Sequence, residues 1–365
     1  MSRIVVTGGA GFIGSHLCEA LLRDGHEVVA FDNFDDFYNP ATKRRNLAQA
    51  LTSRRFKLIE GDLRDPAKVS QLFDRPLDAV VHLAARAGVR PSIEQPLLYQ
   101  DVNIRGTMVL LEACRKQGCM TVLADGEKQG VSVSRNRPVP ETDSVFAAKN
   151  AVFARNDGHA PRKQPRCKLI FGSSSSVYGN NRKVPFAETD PVDDPISPYA
   201  ATKKAGELLC YTYHHLYGLP VTCLRFFTVY GPRQRPDLAI HKFARLIQAG
   251  RAIPVYGDGS MMRDFTYIDD ILDGIQRAID RCAGYRIYNL GESQPVSLSD
   301  LIALLEQALG KKAIIERLPP QPGDVDRTFA DLTLSRKELG YNPSTDLCAG
   351  LGKFVSWLQS EASLM

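Results

Sequence analysis

A glycine-spaced turn between a strand and a helix constrains this chain more than any other feature. Ile4-Val-Val6 reads as a strand, Thr7-Gly-Gly-Ala-Gly-Phe-Ile-Gly14 follows it, and Phe12 to Arg23 reads as a helix. Gly8, Gly11 and Gly14 keep a three-residue spacing. The first allows a tight turn, the second lets the backbone approach a pyrophosphate, and the third lets the helix pack on the strand. The helix N-terminus adds free N–H groups and a positive dipole end, which suit phosphates. A lone glycine pattern also fits a plain surface turn, but here an acidic residue stands where a ribose contact belongs. Asp32 ends the second strand, Glu27 to Phe31, eighteen residues after Gly14. Its carboxylate can accept from a ribose hydroxyl and would repel a 2′-phosphate, which favours NAD over NADP.

Further short β-rich runs continue the alternation: Phe56 to Glu60, Ala79-Val-Val-His-Leu83, Lys168-Leu-Ile-Phe171 and Val221-Thr-Cys-Leu-Arg-Phe226. Helical patterns run over Asn103 to Lys116 and Tyr199 to Tyr217. Strands alternating with helices imply an α/β fold, a doubly wound parallel sheet of Rossmann type. After Gly231 the segments shorten and Pro and Gly become frequent, with helical patterns at His241 to Ala249 and Ser297 to Leu309. Residues 1–230 are therefore expected to form the nucleotide-binding domain. Residues 231–365 are expected to form mainly a smaller α/β substrate lobe, part of which can return to the main sheet. Cys119 to Arg166 breaks the pattern. It is polar, basic and rich in turn residues, and far longer than the ~2–6 residues usual between a helix and a strand. It reads as a surface insertion, largely disordered, with a partner-binding loop as the functional alternative.

Composition narrows the class. Hydrophobic residues at 44% and charged residues at 24% match a globular chain. A net charge of +5 suits an anionic substrate. No basic stripe interleaved with aromatics points to nucleic acid. The eight cysteines lack zinc or redox spacing and read as reduced filler in a cytoplasmic protein, and no metal is expected. No secretory pattern precedes the first strand, and no apolar run approaches a membrane span.

Tyr199-Ala-Ala-Thr-Lys203 sets a tyrosine and a lysine four apart on one helical face. A tyrosine of pKa about 10 is a poor base at neutral pH, and a neighbouring ammonium and an oxidised nicotinamide are expected to lower it. Upstream, Gly172-Ser-Ser-Ser-Ser176 lies just past a strand, at the end where α/β folds bind ligands. With these pieces assembled, the chain resembles the extended short-chain dehydrogenases/reductases, and within them the NAD-dependent epimerases and dehydratases. The resemblance covers nearly everything except Cys119 to Arg166. It rests on Thr7 to Gly14, Asp32, Gly61-Asp62, His82-Leu-Ala-Ala85, Asn103, Ser173 to Gly179, Tyr199 to Lys203, Arg225 to Arg233, Arg263 to Asp270 and Pro322-Gly-Asp324. It implies Tyr199 as base, Lys203 as its partner and Ser174 as the catalytic hydroxyl. It implies cofactor contacts from Phe12, Ile13, Asn33, Asp62, Leu63, Leu83, Ala84, Ala85, Asn103 and Val229 as well as from the glycines, Asp32, Tyr199 and Lys203. A homodimer through the Asn103 and Tyr199 helices follows from the same resemblance.

The family divides after oxidation at C4 of a nucleotide sugar. Similar dehydratases carry an Asp-Glu pair after the catalytic Thr, and similar decarboxylases a Glu two places after it. Here Ser175 and Ser176 stand there and cannot do carboxylate acid–base work, which points to an epimerase. Ala87 to Ser92, Thr228 and Gly231-Pro-Arg-Gln-Arg-Pro-Asp237 look like the UDP-glucuronate 4-epimerases. A threonine hydroxyl and the Arg235 guanidinium suit a carboxylate. Arg263 matches the family's diphosphate-binding arginine. Ser175, Tyr256, Asp324 and Arg90 are expected at the nucleotide or sugar. Hexose 4-epimerase, decarboxylase, 4,6-dehydratase and reductase remain the enzymatic alternatives, and an NAD-sensing regulatory protein the non-enzymatic one.

Overall fold

The β-branched runs at the centre of the sheet become strands with both faces covered, so apolar side chains are wanted on either side. The computed structural model describes residues 1–116, 167–319 and 327–362. Its strands are β1 (Arg3–Thr7), β2 (Glu27–Asp32), β3 (Phe56–Glu60), β4 (Ala79–His82), β5 (Lys168–Ser174), β6 (Val221–Phe226), β7 (Thr228–Tyr230), β8 (Ala252–Tyr256), β9 (Met262–Tyr267), β10 (Tyr285–Leu290), β11 (Pro295–Ser297) and β12 (Ile314–Leu318). Seven of them form one sheet in the order β10-β6-β5-β4-β1-β2-β3, every neighbouring pair parallel. All five residues of β1 are buried, as a central strand covered on both faces requires. β10, from within residues 231–365, extends this sheet beside β6. A three-stranded sheet (β11-β9-β7) and a two-stranded one (β12-β8) make up the remaining strands. The insertion read at 119–166 and the candidate Asp324 lie outside the described residues.

The main helices are α1 (Phe12–Arg23), α2 (Gly106–Lys116), α3 (Pro198–Tyr217), α4 (Ala239–Gln248), α5 (Ile268–Arg281), α6 (Leu298–Leu309) and α7 (Leu347–Ala362). Their ends follow capping chemistry. Ser197 accepts from the Ala200 N–H, Pro198 supplies the preset first turn, and Gly218 closes α3 in the left-handed conformation at φ 67°. The helix expected over Asn103 to Lys116 begins instead with one wide π-type turn, Asp101–Arg105, that passes into α2.

Two buried features fix the elements that carry the candidate site. The His82 ring bridges Thr7 Oγ1 at 2.8 Å and Thr107 Oγ1 at 2.9 Å, joining β4 to β1 and α2. Burial holds it neutral, with its pKa lowered to about 3. Beneath α3, Glu207 receives both Nε and Nη2 of Arg225 at 2.9 Å, and the Ser173 hydroxyl donates to the same carboxylate at 2.6 Å. This pair ties α3 to β5 and β6, and both side chains are almost wholly out of solvent.

Glu292 is less well served. It is 9% exposed, its Oε2 has no hydrogen-bond partner among the described residues, and burial followed by the Asp270 and Asp264 charges pushes its pKa up to about 8. The folded value lies above the unfolded one near 4.3, so the native state holds this proton more tightly. Its contribution is therefore present at low pH and is lost as pH rises towards 8. Glu292→Gln should gain stability relative to the wild type between pH 5 and pH 8, as read by urea unfolding at both. Equal differences at the two pH values would refute the assignment.

Candidate active site

In a doubly wound sheet, ligands bind beyond the carboxyl ends of the strands, where the strand order reverses. That point lies between β1 and β4. A cavity of about 480 Å³ opens there. It is lined by nearly every cofactor candidate: Gly8, Gly11, Phe12, Ile13, Gly14, Asp32, Asn33, Asp62, Leu63, Leu83, Ala84, Ala85 and Val229. Gly8 sits at φ +71°, and a Cβ there would come within 2.7 Å of the Ala84 nitrogen. A Cβ on Gly14 would sit 2.1 Å from the Gly8 carbonyl oxygen, so α1 could not lie so close to the turn. Gly11 differs: an added Cβ would meet only the Gly8 oxygen, at 3.2 Å, and otherwise project into free space. That free space at a helix N-terminus is where a diphosphate fits.

The Asp32 carboxylate is held by the backbone N–H groups of Ala10 (3.0 Å) and Phe34 (2.9 Å), while burial pushes its pKa up. Both oxygens keep lone pairs for a ribose diol. Asp62 accepts from Asn33 at 2.9 Å and from three nitrogens of Arg64, whose hydrogen bonds hold its carboxyl well below the usual range. Asn103 is not at the cavity wall. Its amide accepts from the Arg86 N–H (2.8 Å) and donates to the Arg86 carbonyl (3.0 Å) and to Thr202 Oγ1 (3.0 Å). It thus pins the strand-end loop to α3.

Phe37, Tyr38, Lys43 and Arg86 also line the cavity, and the sequence reading missed them. A signal existed in Asp32-Asn-Phe-Asp-Asp-Phe-Tyr-Asn-Pro40, where alternate Asn and Asp residues favour local side chain–backbone turns. Asn33 accepts from the Asp35 N–H, Asp35 from the Phe37 N–H and Asn39 from the Ala41 N–H, at 2.9–3.0 Å. Tyr38 Oη and Arg86 Nε are buried without a hydrogen-bond partner among the described residues, so the wall offers polar groups to a ligand.

The same cavity is lined by Ser174, Ser175, Tyr199, Lys203, Thr228 and Arg235. Tyr199 and Lys203 are four apart on α3, and the Lys203 ammonium donates to the Gly172 carbonyl at 2.7 Å. Burial lowers its pKa to about 8. The expectation that Lys203 lowers the Tyr199 pKa is corrected here. Burial raises it, and the opposing pulls come from a Ser174 hydrogen bond and the Arg235 charge. The enclosed phenol feels desolvation first, because Lys203 points at Gly172, 5.9 Å from the Tyr199 ring centre. Arg263 does not line the main cavity but a second pocket that shares Ser175 and Thr228 with it. Arg90 packs over the Tyr256 ring at 4.7 Å, and neither lines the main cavity. Among the described residues, no cluster of His, Cys, Asp or Glu is placed to hold a metal.

Comparison with known proteins agrees with this geometry. Residues 131–291 match the NAD dependent epimerase/dehydratase family, and residues 5–125 match GDP-mannose 4,6 dehydratase. UDP-glucuronate 4-epimerase 3 of Arabidopsis thaliana is 41% identical over 97% of this chain and 76% of its own. The Bacillus cereus UDP-glucuronic acid 4-epimerase, solved with UDP-glucuronic acid and NAD, superposes with a TM-score of 0.80 at 33% identity, covering 98% of this chain and 99% of the other. The UDP-glucose 4-epimerase of Thermotoga maritima, solved with UDP-glucose, gives 0.78 at 28% identity over 99% of each chain.

The space at Gly11 yields a test. Gly11→Ala should fold with little change in melting temperature yet weaken dinucleotide binding by about tenfold or more, or roughly 1.4 kcal/mol. Nicotinamide retained to the wild-type extent after dialysis would count against a diphosphate at this turn. The strand order, the ligand edge and relatives that align along almost the whole chain lead to one assignment: this protein belongs to the NAD-dependent epimerase/dehydratase family.

Proposed function

We propose that this enzyme interconverts UDP-glucuronate and UDP-galacturonate. It is an NAD-dependent isomerase that inverts C4 of a nucleotide sugar. The observation that carries the finer reading is that Thr228 and Arg235 line the same cavity as Ser174, Ser175 and Tyr199, with the Arg235 charge acting on the Tyr199 phenol and Thr228 sharing the adjoining pocket with Ser175. A hydroxyl and a guanidinium beside the reacting end suit a C6 carboxylate, which a neutral hexose lacks. The Arabidopsis and Bacillus relatives carry UDP-glucuronate epimerase names and support the same substrate.

In this reading the glycine turn takes the diphosphate of the cofactor, Asp32 its adenosine ribose and Lys203 its nicotinamide ribose. NAD, when bound, supplies the hydride acceptor at C4 and then the donor. Tyr199 removes the proton of the 4-hydroxyl, with Ser174 hydrogen-bonded to both oxygens. The 4-keto sugar turns over and presents its other face, and Tyr199 returns the proton to the new hydroxyl. Ser175 and Ser176 follow Ser174 where a dehydratase or decarboxylase would need a carboxylate. Arg263 contributes charge towards the sugar-nucleotide diphosphate from the adjoining pocket.

The keto intermediate has a side reaction. Its C6 carboxylate is β to the C4 ketone, so the C5–C6 bond can break, carbon dioxide leave and the electron pair pass to the carbonyl as an enolate. That bond must align with the carbonyl π system. Thr228 and Arg235 oppose this by holding the carboxylate fixed and charged. The protein acts as a homodimer in the cytoplasm in this proposal. Leu208, Tyr211 and Leu216 on α3 expose apolar surface that a second copy would cover. Six of the seven described cysteines are buried as free thiols, in keeping with a reducing compartment.

Proton NMR of UDP-glucuronate with purified protein and no added NAD should show UDP-galacturonate growing in, and Tyr199→Phe should slow it by about 10²–10⁴-fold. UDP-glucuronate left untouched while UDP-glucose is epimerised would replace the proposal with the hexose reading. Arg235→Ala should raise the share of UDP-pentose by-product over epimer; an unaltered share would remove the protective role.

A further inference from the structure

The Arg235 guanidinium, read above as the carboxylate clamp, is already gripped from behind. Asp237 accepts from Nε at 3.0 Å and from Nη2 at 2.7 Å, which occupies the side-on edge of the fork. Of the five N–H donors, the two on Nη1 and the second on Nη2 remain. One N–H of Nη1 and the free N–H of Nη2 form the end-on edge, which can take one carboxylate in bidentate fashion. Arg235 lines the main cavity, whereas Asp237 does not. The face of the same guanidinium lies 5.3 Å from the centre of the Phe37 ring, within cation–π range. Phe37 also meets Arg86, whose Cζ is 5.2 Å from the ring centre and which pairs with Asp35.

Phe37 belongs to the stretch that begins at the ribose-side carboxylate. Asp32 receives the Phe34 N–H, Asn33 the Asp35 N–H and Asp35 the Phe37 N–H, while Lys43 donates to the Asp35 carbonyl at 2.7 Å. The Asn33–Asp35–Phe37 series of local hydrogen bonds begins one residue after Asp32, read as holding the adenosine ribose, and ends at the ring that supports the substrate arginine.

We propose that Asp237 and Phe37 are positioning residues that aim the end-on edge of Arg235 at the substrate carboxylate, and that Phe37 makes this aim depend on the cofactor-side loop. The inference rests on the UDP-glucuronate reading. Without Asp237 the guanidinium can rotate about its last bond, and the substrate carboxylate loses its fixed orientation to the C4 carbonyl. Charge alone argues the other way: Asp237 is negative and repels an anionic sugar, so removing it should tighten binding. The two effects have opposite signs, which lets one variant separate them.

The test uses the full-length, cofactor-loaded enzyme with Asp237→Asn, Phe37→Leu and Phe37→Tyr, assayed on UDP-glucuronate and UDP-glucose. For Asp237→Asn the KM for UDP-glucuronate should rise by about tenfold, the order of one charge-assisted contact. The ratio of UDP-pentose to epimer should rise with it, and the loss should be larger on UDP-glucuronate than on UDP-glucose. Phe37→Leu should shift the same ratio and lower the NAD retained after dialysis, and Phe37→Tyr, which keeps the ring, should restore both. An unchanged ratio in Asp237→Asn and Phe37→Leu, or tighter UDP-glucuronate binding in Asp237→Asn without extra by-product, overturns the inference. Should Asp237→Asn fail to fold, the Phe37 pair decides alone. A wild type that ignores UDP-glucuronate and turns over UDP-glucose would instead show that the underlying substrate reading has failed, and the inference with it.

Discussion

The geometry of the whole site depends on how closely β1 and β4 can approach at the point where the strand order reverses. The two strands pair directly, with Thr7 in register with His82, and one buried imidazole ties that pair to α2. His82 spans Thr7 and Thr107, and Thr7 Oγ1 also receives the Ala84 N–H at 3.3 Å. The Leu83 N–H meets the Thr7 carbonyl at 3.1 Å. The glycine turn and the Leu83-Ala84-Ala85 wall are thus two ends of one hydrogen-bonded unit, so the crevice between them has a set width. Because the ring is held neutral by burial, it can accept from one hydroxyl and donate to the other over the whole physiological range. This histidine looks inert beside the catalytic set, yet it determines where the backbone of the cofactor crevice lies.

A similar division of labour holds beneath α3. Tyr199 and Lys203 face the cavity, and one turn further on Glu207 faces inward to Arg225 and Ser173. A buried pair of this kind is weak evidence for stability, because desolvation offsets most of its attraction. Its geometric effect is clearer. It clamps the helix that carries Tyr199 to the strand that carries Ser174, so the proposed base and its hydroxyl partner keep one relative orientation. Preorganisation of that sort is the larger part of what a protein scaffold can supply to acid–base chemistry.

Much of this was readable in advance, and the boundary of legibility has a physical cause. The parallel sheet, the glycine turn, Asp32 and the Tyr199–Lys203 pair depend on local spacing or on strand order, and both leave marks in a sequence. Asn103, Arg86 and Phe37 depend on what faces them across the fold. Asn103 was expected at the cofactor, whereas its amide bonds the Arg86 backbone and Thr202, nearly a hundred residues away. Phe37 carries no signal beyond lying in a run of Asx residues. The direction of the Tyr199 pKa was misjudged for the same reason. Desolvation depends on the enclosing walls, which residue spacing along a helix does not encode. The short strands β8 and β12 were equally hidden, since a two-stranded pair has no long periodic stretch to betray it.

The parallel sheet also separates two sets of chain connections in space. Strand-to-helix turns lie along the ligand edge, and helix-to-strand returns lie along the opposite one. Lys116 closes α2, and Lys168 opens β5 opposite Ala79, the first residue of β4. Ser174, at the other end of β5, is six residues on, about 20 Å at strand rise. Lys116 and Cys167 therefore lie at the edge of the sheet opposite the ligand edge. A reporter or fused domain attached at either residue would start about one strand length, roughly 20 Å, from Ser174.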